Sequence, residues 1–333
     1  MITINKAILH ILDFHSDIRV FSERELDTED NSVNTFLAKH IEKSFKDSNL
    51  KTGKFLEGSQ FEEGLIEYFY NRLDFISFSH HIAQRIHEVM EKSDQLDSMD
   101  VILADFVLDG QRMLGLLFCP NKIGFTHQVL QDTDKVKNDI IHHYAILPST
   151  SQKLEGYAFI NLSSLEIKFH DKKRSISGDD AYIIPEYIMQ CSSGISPKET
   201  VKLMNDITER IADNYGQSTV MAVSKAKNVI VDNIQVSEDL DAEELGKQIF
   251  ASSPAMQEEF VNEVKNAGLS NKVKMDKNIA IRLGKNHKIK TDTGIELIIP
   301  VDYFENKEYI EFINNPDGTL SIQVKNIGQI LNK

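Results

Sequence analysis

The chain is poor in cysteine and has no tryptophan among its 333 residues. Its two cysteines, Cys119 and Cys191, lie far apart and form no CxxC spacing, which argues against a structural zinc site and against a disulfide framework. We therefore expect both thiols to be free and buried. The absence of tryptophan, together with few aromatic residues near the basic clusters described below, disfavours a platform on which single-stranded bases stack.

Long hydrophobic runs are also absent. No stretch of 18 apolar residues is available to span a bilayer, so no membrane segment is expected. The N-terminal residues "MITINKAILHILDFHSD" lack a basic region and a small-residue cleavage site of the secretory type. These observations predict a cytoplasmic location.

The sequence lacks the common catalytic signatures. It contains no GxSxG motif, no P-loop, no dinucleotide fingerprint and no HExxH spacing. His80, His81 and His87 lie on one predicted helix, where His80 and His87 share a face, but no HExxH or equivalent spacing completes a ligand set. The neighbouring strand residues His142 and His143 must point to opposite sides. We expect structural histidines, no metal, no cofactor and no enzymatic activity.

The first part of the chain is rich in strand patterns. Residues 2–12 read as a strand, and "IRVF" at 18–21 is placed to pair with it. Asp109 and Gly110 separate two apolar runs and supply the positive φ values that a tight hairpin needs. Further runs, "IGFTHQVL", "DIIHHYAIL", "GYAFINL" and "LEIKF", complete a predicted antiparallel sheet of five or six strands.

Helical patterns interrupt these strands. In "NSVNTFLAKHIEKSF" the apolar residues recur at helical spacing, with Asn31 or Ser32 as the expected N-cap. Ser59 and Glu62 form a capping-box spacing before a second helix, and a third pattern runs from Phe78 to Met90. Sheet and helices together predict an α+β domain over residues 1–190.

The middle of the chain carries repeated helix starts. Ser196-Pro197 with Glu199, Asp241 with Glu244, and Ser253-Pro254 each combine a capping residue with a favourable first turn. A mostly helical block over 191–270 is expected. The rest, 271–333, reads as a small β unit. Apolar faces of the middle helices could form an internal core or serve a homodimer.

Charge is distributed unevenly along this acidic chain, whose formal net charge is −14. The segment 271–294 holds seven basic residues and two aspartates, a net charge of +5, so the remainder sums to −19. Overall acidity argues against adhesion to nucleic acid over the whole surface. Any contact with DNA has to be local.

Strand alternation would line up the cations of this basic segment. Ile279, Ile281 and Leu283 share one face while Arg282 points to the other, and Lys288 and Lys290 flank an inward-facing Ile289. A row of cations can neutralise successive phosphates and release counterions. The candidate DNA ligands are Lys272, Lys274, Lys277, Arg282, Lys285, Lys288 and Lys290. The alternative is that lysines protect an exposed sheet edge from aggregation.

Two further stretches are weaker candidates. A second basic cluster in a predicted hairpin loop consists of Lys168, Lys172, Lys173 and Arg174. Asp179 and Asp180 follow at once, which favours an ordinary solvated turn. The helix predicted in "STVMAVSKAKNVIVDN" could present two lysines to a DNA groove, although packing within the helical block explains it better. The acidic runs "ERELDTED" and "SEDLDAEE" are typical of loops and helix starts, or of a surface that meets a basic partner.

The order of segments resembles a known family. The opening "INKAILHILD", the helix "FLAKHI", the junction "PEYIMQCSSGISPKETVKL" and the closing "IKTDTGIELIIPVDYF" and "IEFINNPDGTLSI" are similar to the bacterial nucleoid-associated proteins of the NdpA/YejK type. The resemblance implies a non-enzymatic protein of the cytoplasm and nucleoid, present there through DNA or DNA-bound proteins. The family supplies no established DNA ligands to transfer, so the candidate residues above rest on charge alone.

The sequence leaves two main functions open, with a metal-dependent hydrolase as a third possibility. The first is a DNA-binding protein of weak sequence selectivity that uses the basic segment. The second is an acidic protein-interaction module that docks a DNA-processing enzyme and reaches the nucleoid through that partner.

Overall fold

The computed structural model describes residues 2–132, 135–237, 239–267, 269, 272–275, 286–304, 306–317 and 319–329. The chain divides into two compact units, Met1–Ser196 and Pro197–Lys333. The α+β class is confirmed, because a seven-stranded antiparallel sheet with helices is followed by a helical block and small C-terminal hairpins. The predicted boundaries at residues 190 and 270 stay predictions.

The strands of the first unit are β1 (Ile2–Asp13), β2 (Ile18–Val20), β3 (Lys51–Gly53), β4 (Met99–Leu108), β5 (Gln111–Pro120), β6 (Lys122–Asp132), β7 (Lys135–Ile146), β8 (Gly156–Asn161), β9 (Ile167–His170), β10 (Lys173–Ile176) and β11 (Asp179–Tyr182). Seven of them form one sheet in the order β2-β1-β4-β5-β8-β9-β3, and β10 pairs with β11 apart from it. Its helices are α1 (Asn31–Phe45), α2 (Gln60–Phe69), α3 (Phe75–Met90) and a π-helical turn (Ile183–Ile188).

Both faces of the central strands are covered. Along β4, Val101 and Leu103 join an apolar cluster that includes residues of α2 and α3. Ile102 and Ala104 point the other way, into a second cluster that includes Leu37 of α1. A strand buried on both faces reads as a nearly continuous apolar run, which is the pattern of "VILADFVL".

Local turn and cap chemistry explains where these elements begin and end. Asp109 and Gly110 have φ values of 49° and 83°, so the tight hairpin between β4 and β5 is confirmed. Ser59 caps α2 as predicted, its hydroxyl accepting from Glu62 N at 3.2 Å. The predicted cap of α1 is wrong: Asp30 holds that place, because its carboxylate accepts from the amides of Ser32 and Val33.

One strand assignment needs a correction. "IGFTHQVL" and "DIIHHYAIL" do form strands, but β6 and β7 pair with each other as a separate ribbon and do not join the sheet. The edge of β5 that does not pair with β4 pairs with β8, from Met113 opposite Asn161 to Phe118 opposite Gly156. The period-two pattern identifies a strand correctly, but it does not say which strand is its partner.

The second unit begins with four helices and ends in short hairpins. The helices are α4 (Pro197–Asn214), α5 (Thr219–Val236), α6 (Ala242–Ile249), α7 (Pro254–Asn266) and the short α8 (Val301–Phe304). The strands are β12 (Asp239–Asp241), β13 (Lys272–Lys274), β14 (Asn286–Lys290), β15 (Glu296–Pro300), β16 (Ile310–Asn314) and β17 (Leu320–Val324).

The helices of this unit pack on one another. Helix α4 contacts α5 and α7, and α6 contacts α5 and α7. Met204, Ile207 and Ile211 of α4 are buried, so the apolar face predicted for this helix belongs to a core within the block. The hairpins have a smaller core, in which Ile299, Phe304 and Ile310 are buried. No helix among the described residues is both long and apolar enough to cross a lipid bilayer.

Candidate nucleic-acid interface

The outer face of β14, formed by Asn286, Lys288 and Lys290, presents two cations of the basic segment to solvent. Both lysines are exposed, whereas Ile289 between them is half-buried against the small hairpin core. Strand β14 pairs with β15 in register, with Ile289 opposite Leu297. The predicted alternation of Lys288 and Lys290 about an inward Ile289 is therefore confirmed.

The two lysines of this face differ in their partners. Lys290 Nζ lies 3.5 Å from Glu296 Oε1 in the neighbouring strand, and both side chains are about 70% exposed. Such a surface pair is screened by salt and contributes little to stability. Lys288 faces Ile298 across the ladder and forms no ion pair with another described residue. Both ammonium groups are therefore accessible to a phosphate.

Strand β13 carries two more candidates in a different electrostatic setting. Lys272 stands opposite Asp241, and Lys274 opposite Asp239, in the β12–β13 ladder. Cross-strand pairs of opposite charge are a common stabilising arrangement in sheets. Asp241 also caps α6, accepting from Glu243 N at 2.9 Å. By residue type, the two lysines and two aspartates of this ladder sum to a formal charge of zero.

Three candidates lie outside the described residues. They are Lys277, Arg282 and Lys285, which fall between β13 and β14. The predicted alternation of Arg282 with its apolar neighbours lies outside the described residues as well.

The second basic cluster is largely neutralised. Lys172 Nζ lies 3.2 Å from Glu155 Oε2, and Lys173 Nζ lies 3.0 Å from Asp180 Oδ2. Arg174 departs from the predicted solvated turn: it is in β10, only 7% exposed, and its guanidinium lies 3.0 Å from Asp171 Oδ1. The guanidinium is held within the fold and is largely shielded from solvent.

The Asp171–Arg174 ion pair also stabilises the neighbouring π-helical turn. The second oxygen of Asp171 accepts from Ile184 N at 2.7 Å, so the carboxylate joins β9, β10 and the turn. Burial raises the pKa of Asp171, while the adjacent Arg174 acts in the opposite direction. The sequence offered no signal for this role, because an aspartate three residues before an arginine is uninformative outside a helix.

A cleft in the first unit also collects charged side chains. Its volume is about 470 Å³. The charged lining residues are Asp13, Asp97, Glu155, Lys122, Lys172 and Arg174. Three acids and three bases line the cleft, so it has no net positive charge with which to attract a phosphate backbone.

Helix α5 packs as a structural element. Ser224 and Ala226 are buried, and the lysines beside them, Lys225 and Lys227, are half-buried. Burial lowers the pKa of Lys227. Because α5 contacts both α4 and α6, its position favours packing over the insertion of this helix into a DNA groove.

The remaining reactive side chains have structural surroundings. Both cysteines are free and buried, as predicted, and burial raises the pKa of each thiol to about 12. A thiol of so high a pKa is a poor nucleophile at neutral pH. Among the described residues, no three His, Cys, Asp or Glu side chains are grouped to hold a metal ion. His80 Nε2 lies 2.8 Å from the carbonyl oxygen of Ser22.

Comparison with known proteins identifies the family. A search of curated proteins gives no significant match. A family model described as nucleoid-associated protein YejK matches residues 8–332, which is nearly the whole chain and includes both compact units. That description names an association with the bacterial nucleoid and no reaction. The chain therefore belongs to the nucleoid-associated protein YejK family.

Proposed function

We propose that this chain is a non-enzymatic component of the nucleoid that binds the DNA phosphate backbone through its basic segment, residues 271–294. Within that segment the outer face of β14 is the principal contact. The observation that carries the proposal is that Lys288 and Lys290 project from one exposed strand face, anchored from behind by Ile289. Lys272, Lys274, Lys277, Arg282 and Lys285 extend the same cationic stretch along the chain.

The proposed mechanism is electrostatic. Each lysine that neutralises a phosphate releases condensed counterions, so affinity falls steeply with salt concentration. Engagement of four or five cations gives a slope of log affinity against log salt of about −4. Sequence selectivity is weak, because phosphate contacts position a protein on DNA without reading base edges. The acidity of the remaining chain, at −19, limits how densely the protein coats DNA.

The contrast between the two basic clusters supports this choice. Lys172 and Lys173 each have a carboxylate partner within 3.2 Å, and Arg174 is buried. A phosphate at that cluster would have to displace carboxylates already in place. At β14 only Lys290 has such a partner among the described residues, and both side chains of that pair are largely exposed to solvent.

A salt-series titration tests the proposal. The triple variant Lys285→Gln, Lys288→Gln, Lys290→Gln should lower the magnitude of the salt slope by about 2 to 3, since each lost phosphate contact removes roughly 0.9. A matched control removes three exposed lysines from the helices of the same unit, Lys198, Lys202 and Lys247. The control should leave the slope of the unmodified protein unchanged.

The refuting outcomes are distinct. An equal loss of slope in both triple variants would mean that only total charge matters, and an unchanged slope in the Lys285/Lys288/Lys290 variant would remove this surface from consideration. Fluorescence anisotropy with two DNA duplexes of unrelated sequence gives both the slope and the selectivity.

A second function is favoured by the charge of the first unit. Residues 1–196 hold 30 acidic and 20 basic residues, which is an unfavourable surface for DNA and a suitable one for a basic partner. In this case the protein docks a DNA-processing enzyme and reaches the nucleoid through it. Purified protein would then show no DNA retention at moderate salt, yet would be recovered with the enzyme after nuclease treatment.

A further inference from the structure

The ribbon formed by β6 and β7 is exposed along most of its described length. Its strands of 11 and 12 residues pair only with each other among the described residues. At a rise of about 3.4 Å per residue the ribbon is roughly 35–40 Å long. A lone two-stranded hairpin is marginally stable in water, so a ribbon of this length is expected to pack against something.

The two faces of the ribbon have opposite characters. In the ladder, Phe125 is opposite His142, His127 opposite Ile140, and Val129 opposite Asn138. Paired residues share a face, so alternate residues from Phe125 to Gln131 and from Val136 to Tyr144 form one face with no acidic or basic residue apart from histidine. We call this the uncharged face. The opposite face carries Asp132, Lys135, Lys137 and Asp139.

The uncharged face exposes large apolar side chains. The exposed fractions are 72% for Phe125, 60% for Val129, 67% for Val136, 79% for Ile140 and 72% for Tyr144. Together these side chains present on the order of 500 Å² of apolar surface. That area is at the upper end of the largest apolar patch found on monomeric proteins, which marks it as an interaction surface.

The aromatic part of this face is already ordered. The rings of Phe125 and His142 stack with centroids 4.5 Å apart, and the His142 and Tyr144 centroids are 4.1 Å apart. At the base of the ribbon, a Cβ at position 124 would lie 2.4 Å from Cδ1 of Ile146. Only glycine therefore leaves room for the Ile146 side chain to pack over the backbone at this position. A surface that is ordered before binding loses less entropy on association.

We propose that the uncharged face is a homodimer interface, on which the same face of a second copy packs. Two copies of a chain with a net charge of −14 repel each other, so contact between copies requires a face without carboxylates. An isologous interface places identical residues around a two-fold axis, and a face with no fixed charge avoids like-charge contacts in that arrangement.

The exposed area of the uncharged face is close to what one partner buries in a stable dimer. A stable interface buries about 800 Å² per partner. The five apolar side chains supply the larger share, and the exposed polar residues of the same face, His127, Gln131 and Asn138, supply the polar remainder. The proposal does not depend on DNA binding, since no residue of the ribbon belongs to the basic segment.

The mass of the full chain in solution tests the proposal. Analytical ultracentrifugation at concentrations up to tens of micromolar should give twice the monomer mass of 37.9 kDa. The double variant Val129→Lys, Ile140→Lys places two charges on the uncharged face. It should raise the dimer dissociation constant at least about a hundredfold, because two ammonium groups from each copy would be desolvated without partners.

A matched control distinguishes loss of the interface from loss of the fold. The double variant Thr126→Lys, Gln128→Lys adds the same charge at exposed positions on the opposite face of β6, and it should remain dimeric. Circular dichroism and thermal unfolding verify that both variants are folded. A monomer in the unmodified protein would overturn the proposal and leave this face to a different partner. Dimers that persist in the first variant, or are lost equally in both, would also overturn it.

Discussion

The buried carboxylate of Asp105 allows a quantitative test of how the first unit is held together. Asp105 is in the central strand β4 and is fully buried. It accepts from Tyr68 Oη at 2.5 Å, from Asn5 Nδ2 at 2.8 Å and from the Arg112 guanidinium at 2.7 Å. Burial beside this carboxylate raises the pKa of Tyr68, so the phenol remains a donor at all ordinary pH values.

Asp105 and Arg112 differ in their access to water, and this difference decides how much each substitution lowers the free energy of unfolding. The side chain of Arg112 is 39% exposed, whereas that of Asp105 is not exposed at all. Arg112→Leu would leave a carboxylate that cannot reach water, at a cost of about 3–5 kcal/mol in the free energy of unfolding. Asp105→Asn would leave a guanidinium that can hydrate, and the loss of charged hydrogen bonds costs about 2 kcal/mol.

Urea unfolding of the two variants at pH 7, followed by far-UV circular dichroism, measures both costs. Hydrogen exchange of the β4 amides reports on the first unit separately, which guards against overlapping transitions of the two units. Equal denaturant slopes would show that the unfolded states are comparable.

The order of the two effects is the decisive result. If Asp105→Asn proved more destabilising than Arg112→Leu, the claim that water access decides the outcome would be refuted. A cost below about 1 kcal/mol for both variants would show that the network adds specificity and not stability.

Three further predictions follow from single contacts. Burial, with Asp13 nearby, raises the pKa of Asp100 from 3.8 to about 6, so the folded state binds more protons between those values and stability falls as pH rises through them. Asp100→Asn should therefore stabilise the protein at pH 7 by up to about 3 kcal/mol and have little effect at pH 4, as measured by urea unfolding at both values. Hydrogen bonds to the half-buried Asp47 outweigh its burial and lower its pKa, so its stabilisation is present above its unfolded pKa of about 4 and lost as pH falls through the folded value. Asp47→Asn should cost about 2 kcal/mol at pH 7, and the difference should shrink in acid unfolding curves. Ser59 both caps α2 and donates to the Met189 carbonyl at 2.8 Å, so Ser59→Ala should lower the free energy of unfolding by about 1–2 kcal/mol.

Several features were predictable because the interactions that decide them are local. The hairpin at Asp109-Gly110 depends on two adjacent residues with positive φ, and the cap at Ser59 on an amide three residues away. The wrong N-cap prediction for α1 also has a local origin. Three consecutive residues with capping side chains compete there, and the carboxylate of Asp30 accepts from two amides at 2.8 and 3.0 Å. Sequence patterns over a few residues thus locate elements well and their ends within a residue or two.

In the candidate site, too, local patterns predicted some features and missed others. Strand alternation alone placed Lys288 and Lys290 on the exposed side of β14. The nearby Asp179 and Asp180 were visible in the sequence, and Asp180 does pair with Lys173. No local pattern revealed that Glu155 pairs with Lys172, because this carboxylate lies 17 residues earlier in the chain.

By itself the sequence determined the α+β class, the position of most helices and strands, the charge asymmetry and the family resemblance. Only the tertiary structure decided that Arg174 is buried against Asp171 and that β6 and β7 leave the sheet to form a ribbon with an uncharged face. The physical reason is that periodicity fixes which side of an element is apolar, whereas the partner of that side depends on contacts between residues far apart in the chain.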